Sequence, residues 1–164
     1  MLKKIILFSI FMFYITFEAY SDSLFGNNLY MFRDSVDSLV IDKKTSLMWQ
    51  DDEDSKHVSM NFSTAKQYCD EKILGDYTDW RLPSVNELLS LVDRHRSAPA
   101  LFLIFKYGVR DIYWTSVLAE QNKVNAISFN DGDIHLLSRN DKKFVRCVRN
   151  ASKVEVNERR RLNL

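Results

Sequence analysis

Four glycines, two prolines, two cysteines and three histidines are all that this chain of 164 residues holds of the types that most often betray a chemistry. So few glycines leave no Gly-rich loop to cradle phosphate, and no nucleotide or other cofactor is expected. His57, His95 and His135 are scattered through the sequence. Without a paired histidine spacing or a cluster of cysteines, they predict no zinc site. No serine lies in a nucleophile elbow and no histidine sits in a motif with a defined partner, so the chain does not read as an enzyme. Low glycine and proline beside 13% aromatic residues also exclude a disordered or collagen-like chain. No internal repeat of solenoid or propeller period is visible.

What is present begins with a leader. Lys3 and Lys4 precede an apolar run from Ile5 to Phe17, and Ala19 and Ser21 are the small residues a signal peptidase needs before its cut. Cleavage after Ser21 is expected. The run is shorter than the about 20 residues that a membrane span requires, so no stable span is expected once the leader is gone. Behind it Cys69 and Cys147, the only two cysteines, read as one long-range disulfide made in an oxidising compartment. The expected location is periplasmic, or secreted to the cell surface. The domain plan is residues 1–21 as signal peptide, 22–38 as a lead-in, 39–150 as one domain, and 151–164 as a polar C-terminal tail.

Charge is split along the chain. Between Asp22 and Asp93 there are 7 Lys and Arg against 14 Asp and Glu, and from Arg94 to Leu164 the numbers reverse to 14 against 7. The mature chain is formally neutral, and nucleic acid is not an expected partner. Two readings stay open: the halves neutralise each other in the fold, or the basic half forms a functional face.

The element pattern starts with a hairpin, Leu39–Asp42 and Leu47–Gln50 around a turn at Lys43–Ser46. Asp51, Asp52, Glu53 and Asp54 follow as a polar loop. Asn61 can cap a helix from Phe62 to about Ile73, with Phe62, Ala65, Cys69 and Ile73 on its core side and Gly75 as its stop. Ser84 and Glu87 form a capping box after Pro83, opening a second helix that ends near Asp93. From Tyr113 the period changes to strands, with a tight turn at Asn130, Asp131, Gly132 and Asp133, and a last strand over Phe144–Val148. The expected class is α+β.

Several blocks carry a family likeness: Leu47-Met48-Trp49-Gln50, Ala65 with Tyr68-Cys69, Asp79-Trp80-Arg81-Leu82-Pro83 with Glu87-Leu88, Tyr113-Trp114-Thr115-Ser116, and Val145-Arg146-Cys147-Val148-Arg149. Taken in order, they resemble the Lcl C-terminal domain family over about Val40 to Arg149. The resemblance implies a C-type lectin-like fold, with two helices packed on short antiparallel sheets and a disulfide joining first helix to last strand. It implies an extracytoplasmic module without naming an activity. Two departures stand out. The Glu-Pro-Asn and Trp-Asn-Asp motifs by which calcium-dependent lectins hold sugar are absent, and Ser46 stands where the family commonly has glycine.

Candidate sites are few. Calcium needs six to eight oxygens; the places offering some are the Asp51–Asp54 loop and Asn130, Asp131 and Asp133, residues that a hairpin turn needs as well. Arg139, Lys142, Lys143, Arg146 and Arg149 converge on the last strands as a candidate polyanion site, with Arg146 on the face opposite Val145 and Cys147. Trp49, Trp80 and Trp114 sit among apolar neighbours and read as core, with Pro83, Ser84 and Glu87 as structural residues. The expected function is an exported binding module, adhesin-like, for a glycan or protein at the bacterial surface. The alternative is a structural or assembly subunit of an envelope machine such as a pilus or secretion accessory.

Overall fold

Alternate residues of Leu39–Asp42 belong to two different hydrophobic cores, and that alternation organises the fold. A computed structural model of the chain describes residues 30–96 and 98–162. The chain divides into two compact units after Tyr30, and apart from Tyr30 the described residues belong to the second. The expected leader and its cut after Ser21 lie outside the described residues. Among the described residues no helix is long and apolar enough to cross a membrane.

The architecture is α+β, with two sheets, four helices among the described residues, and one disulfide. The first sheet holds β1 (Met31–Asp34), β2 (Leu39–Asp42), β3 (Leu47–Gln50) and β9 (Val148–Asn150), in that order and antiparallel throughout. The second holds β4 (Ser59–Met60), β8 (Lys143–Phe144), β5 (Ile112–Leu118), β6 (Lys123–Ser128) and β7 (Ile134–Ser138), with β7 at one edge. Only the short β5–β8 pairing there is parallel. The helices are α1 (Asp54–His57), α2 (Phe62–Asp70), α3 (Val85–Leu89) and α4 (Lys153–Leu162).

Strand periodicity explains the two cores. Leu39 and Ile41 of β2 and Met48 of β3 face one core, together with Trp80, Trp114, Phe62, Ala65 and the Cys69–Cys147 bond. Val40, Leu47 and Trp49 face the other, with Leu88, Leu91, Phe105, Tyr113 and Ile127. A strand whose successive side chains point to opposite faces becomes buried throughout when both faces are covered. All four residues of β2 and all four of β3 are buried. Trp49, Trp80 and Trp114 are core residues, as their neighbours in sequence imply, and each contributes on the order of a few kcal/mol by burial.

The helices start where their caps place them. Asn61 accepts from the N–H of Thr64 to open α2, and Ser84 and Glu87 complete both halves of a capping box at α3. α2 ends earlier than its apolar spacing suggests, at Asp70, and Ile73 is exposed. The chain must turn there so that the carbonyls of Leu74 and Tyr77 can accept from Trp80 Nε1. Gly75, at φ +60°, makes the turn, and a Cβ on it would come within 2.9 Å of Leu39 Cδ1.

Both ends of the domain are more ordered than the sequence suggests. Residues read as a lead-in contain β1, and the polar tail contains α4, whose Val156 reaches the first core. Arg159 of α4 bonds Asp34 and Asp37 near the β1–β2 turn and the carbonyl of Gly75. The cue for α4 was legible in Ser152 and Glu155, which form a second capping box: Ser152 N–H donates to Glu155 Oε2 at 2.6 Å, and Glu155 N–H to Ser152 Oγ at 3.1 Å.

Candidate functional site

Of the five basic residues expected to share a face, the structure removes two from the surface. Arg146 does point away from Val145 and Cys147, but the opposite face is the second core, not solvent. Its guanidinium is completely buried, lies 4.6 Å from the Phe105 ring centroid, and donates to Asp51 Oδ1 at 3.2 Å and to the carbonyls of Gln50 and Tyr107. Arg149 is nearly buried as well. It pairs with Asp79 at 2.6 Å and Glu155 at 3.1 Å, and sits 3.8 Å from the Tyr77 ring centroid. Lys142 remains exposed, while Arg139 and Lys143 are partly buried, and Arg139 donates to Asn122 and Ser63. The polyanion patch as five residues is therefore corrected: Arg146 and Arg149 belong to the interior. The expected last strand over Phe144–Val148 is corrected with it: β8 and β9 belong to different sheets, and Val145–Cys147 between them is an irregular segment packed between the two cores.

Asp51 changes place with them. Expected in a solvated loop, it is completely buried and accepts from Arg33 Nε at 2.7 Å, from Arg146, and from the backbone N–H groups of Lys106 and Tyr107, each at 3.0 Å. It anchors the long segment before β5 to the end of β3. Asp52 and Asp54 bind Lys72 at 2.8 and 3.3 Å, and the Tyr68 hydroxyl donates to Asp54, holding that carboxyl below its usual range. Burial pushes the Tyr68 hydroxyl itself up to about 12. Across the charge split, Asp34, Asp37, Asp51 and Asp79 of the acidic half pair with Arg159, Arg146 and Arg149 of the basic half.

Asn130, Asp131 and Asp133 form the β6–β7 turn. Gly132 takes φ +84°, and Asp131 accepts from the N–H of Asp133 at 3.0 Å and faces His135. Among the described residues no group of three or more His, Cys, Asp or Glu is placed to hold a metal ion.

Among the described residues an open groove of about 590 Å³ lies between the β2–β3 turn, α3 and the end of β9. Thr45, Ser46, Asn86, Glu87, Ser90 and Asn150 supply its polar wall and Leu47 and Ala151 its apolar one. Two distant pieces of sequence are held together there by main-chain bonds. Leu47 pairs with Asn150, and Ala151 N–H donates to Ser46 O at 2.9 Å. Ser46, at φ 56°, takes the left-handed backbone that glycine adopts without cost, an expense of about 1 kcal/mol for a residue with a Cβ. The turn thus takes a backbone that glycine favours while placing a hydroxyl at the groove.

Arg81 fixes the groove's carboxylate. It is pinned by main-chain bonds to Val148 in both directions, and its guanidinium forks onto Glu87 Oε1 and Oε2 at 2.7 and 2.9 Å while donating to Asn150 Oδ1 at 2.9 Å. The Arg81 bonds, helped by the Ser84 N–H, hold the Glu87 carboxyl down to about 2. Its folded value lies below the ordinary 4.5, so its contribution to stability is complete above that range and lost as pH falls toward about 2. Glu87→Gln should therefore flatten the acid limb of a melting-temperature profile between pH 4.5 and 2. An acid limb identical to that of the parent would remove Glu87 as its cause.

None of the groove residues was singled out for binding from the sequence; Glu87 appeared only as a helix cap. The segments lie far apart along the chain, and nothing in any one of them marks a site. Residues 38–149 match the profile of the Lcl C-terminal domain. No curated protein matches the chain.

Proposed function

This chain belongs to the Lcl C-terminal domain family, and from that premise we propose that it is an exported, non-enzymatic binding module of C-type lectin-like fold that recognises a neutral glycan at the bacterial surface. One observation carries the reading: the groove presents hydroxyls and amides around a carboxylate whose charge is already matched by Arg81. Asn, Ser and Thr side chains both donate and accept, as a sugar's hydroxyls do, and no calcium ion is needed for such contacts. The disulfide suits an oxidising compartment.

A glycan array followed by titration of the best ligand tests the assignment. Binding should change little between low and high salt, because the groove's ion pair is internal. Asn86→Ala, at an exposed position, should weaken binding at least about tenfold, the loss of a charge-free bidentate contact. A folded protein that retains no glycan, or one whose binding Asn86→Ala leaves intact, defeats the proposal. Binding that collapses with salt would move the ligand to the polyanion class, on Arg139, Lys142 and Lys143. The assembly-subunit reading is favoured by a separate observation, the open edge of β7.

A further inference from the structure

β7 is an edge strand without the usual protections. Among the described residues only β6 pairs with it, it contains no proline, lysine or bulge, and Ile134 and Leu136 are about half-exposed. Edge strands of soluble proteins ordinarily carry such devices because free N–H and C=O groups template further pairing. The phase of the free groups follows from the register. Ser128 N–H donates to Asp133 O at 2.9 Å, so His135 and Leu137, two and four residues on, also aim their peptide groups at β6. Ile134, Leu136 and Ser138 aim theirs outward.

The two ends of this edge differ in charge. Asp131 and Asp133 stand exposed before the strand, and Arg139, Lys142 and Lys143 follow it, with Asp141 the one carboxylate among them. An antiparallel partner of the same sequence meets each end with its opposite. We propose that β7 pairs with β7 of a second copy about a two-fold axis at Leu136, making a symmetric dimer with one continuous sheet across both chains.

The register is fully specified. Leu136 lies opposite Leu136 of the second copy as a hydrogen-bonded pair, which exchanges two main-chain bonds. Ile134 lies opposite Ser138, whose N–H donates to the carbonyl of Ile134 at both ends. The Ser138 carbonyl is already taken by Asp141 N–H at 3.0 Å, so the core of the interface is four main-chain bonds. In the same register Asp133 faces Arg139 at each end, and Ile134 and Leu136 are withdrawn from water. A symmetric interface of this kind closes on itself as a dimer. It does not use the groove, so failure of glycan binding and failure of dimerisation are separate results.

Sedimentation equilibrium of the full chain should show a concentration-dependent dimer, weakened at least about tenfold by Asp133→Arg and restored when Arg139→Asp is added. Leu136→Pro should abolish the dimer while melting as the parent does at dilutions where the parent is monomeric, since it removes an N–H that faces outward rather than toward β6. Leu136→Cys should cross-link to its counterpart under mild oxidation, because Cα atoms of a hydrogen-bonded pair lie about 5.5 Å apart, within disulfide reach. Ile134→Cys should not, its counterpart being displaced by four residues. A monomer at every concentration, a dimer indifferent to Leu136→Pro, or equal cross-linking of the two cysteine variants would each overturn the pairing. Should Leu136→Pro fail to fold, the cysteine pair decides.

Discussion

Asp51→Ala is expected to destabilise the domain by about 3–5 kcal/mol, the range for removing one partner of a buried ion pair. The geometry puts it at the upper end. Removing the carboxylate leaves the Arg146 guanidinium buried without its counter-charge and strands the N–H groups of Lys106 and Tyr107. Arg33 loses its partner too. Net stabilities of domains run about 5–15 kcal/mol, so the loss is a large fraction of the whole. For a unit of this size, a fall of roughly 10–20 °C in melting temperature corresponds to it. Asp51→Asn, which keeps shape and some acceptor capacity but not the charge, should lie between the parent and Asp51→Ala. Adding Arg146→Met to Asp51→Ala should recover part of the loss, because a buried pair replaced by apolar groups costs far less than a buried charge left alone. A double variant no better than Asp51→Ala would show that the cost comes from the freed loop and not from the orphaned guanidinium.

The second large effect concerns the covalent closure. Cys69 and Cys147 are bonded with a Cα–Cα distance of 5.5 Å, and 78 positions separate them. Closing a loop of that length removes unfolded-chain entropy worth about 4.5 kcal/mol in the chain-entropy treatment, an upper value because residual structure reduces it. Replacing both cysteines by alanine avoids leaving a lone thiol in the first core. The expected result is a drop in melting temperature again of roughly 10–20 °C, with the native far-UV spectrum retained at low temperature. A melt within a degree or two of the parent would mean that packing around Trp80, Trp114 and Val145 alone carries the closure.

Local signals in this sequence transferred well to the structure. The hairpin of β2 and β3 follows from two apolar runs and a polar turn, and the caps at Asn61 and Ser84 follow from short-range chemistry completed within three residues. The cysteine pair was legible because nothing else could claim either sulfur. What failed was inference about which side of a strand meets water. Arg146 does point opposite to Cys147, yet the segment linking β8 to β9 runs between two cores and has no outer face, and the sequence holds no separate mark of that. Asp51 was hidden for the same reason: in a run of four acidic residues, only the fold distinguishes the one that is buried. The groove was invisible because residues near 45, 86 and 150 meet only after both sheets have formed. α4 is a different kind of miss, since Ser152 and Glu155 repeat the Ser84–Glu87 signature in a stretch whose run of arginines reads as solvated tail.

The stretch Val145–Val148 has a further consequence for how the molecule comes together. Arg146 and Cys147 bond Gln50 and Asp51, almost a hundred positions upstream, and Cys147 is tied to Cys69. Contacts between such remote points of a chain are entropically slow to form. Neither core can be sealed until residues 145–148 have joined the upstream part of the domain, and whatever assembles beforehand keeps apolar surface open to chaperones and proteases. This segment acts as the keystone, set last and holding both halves.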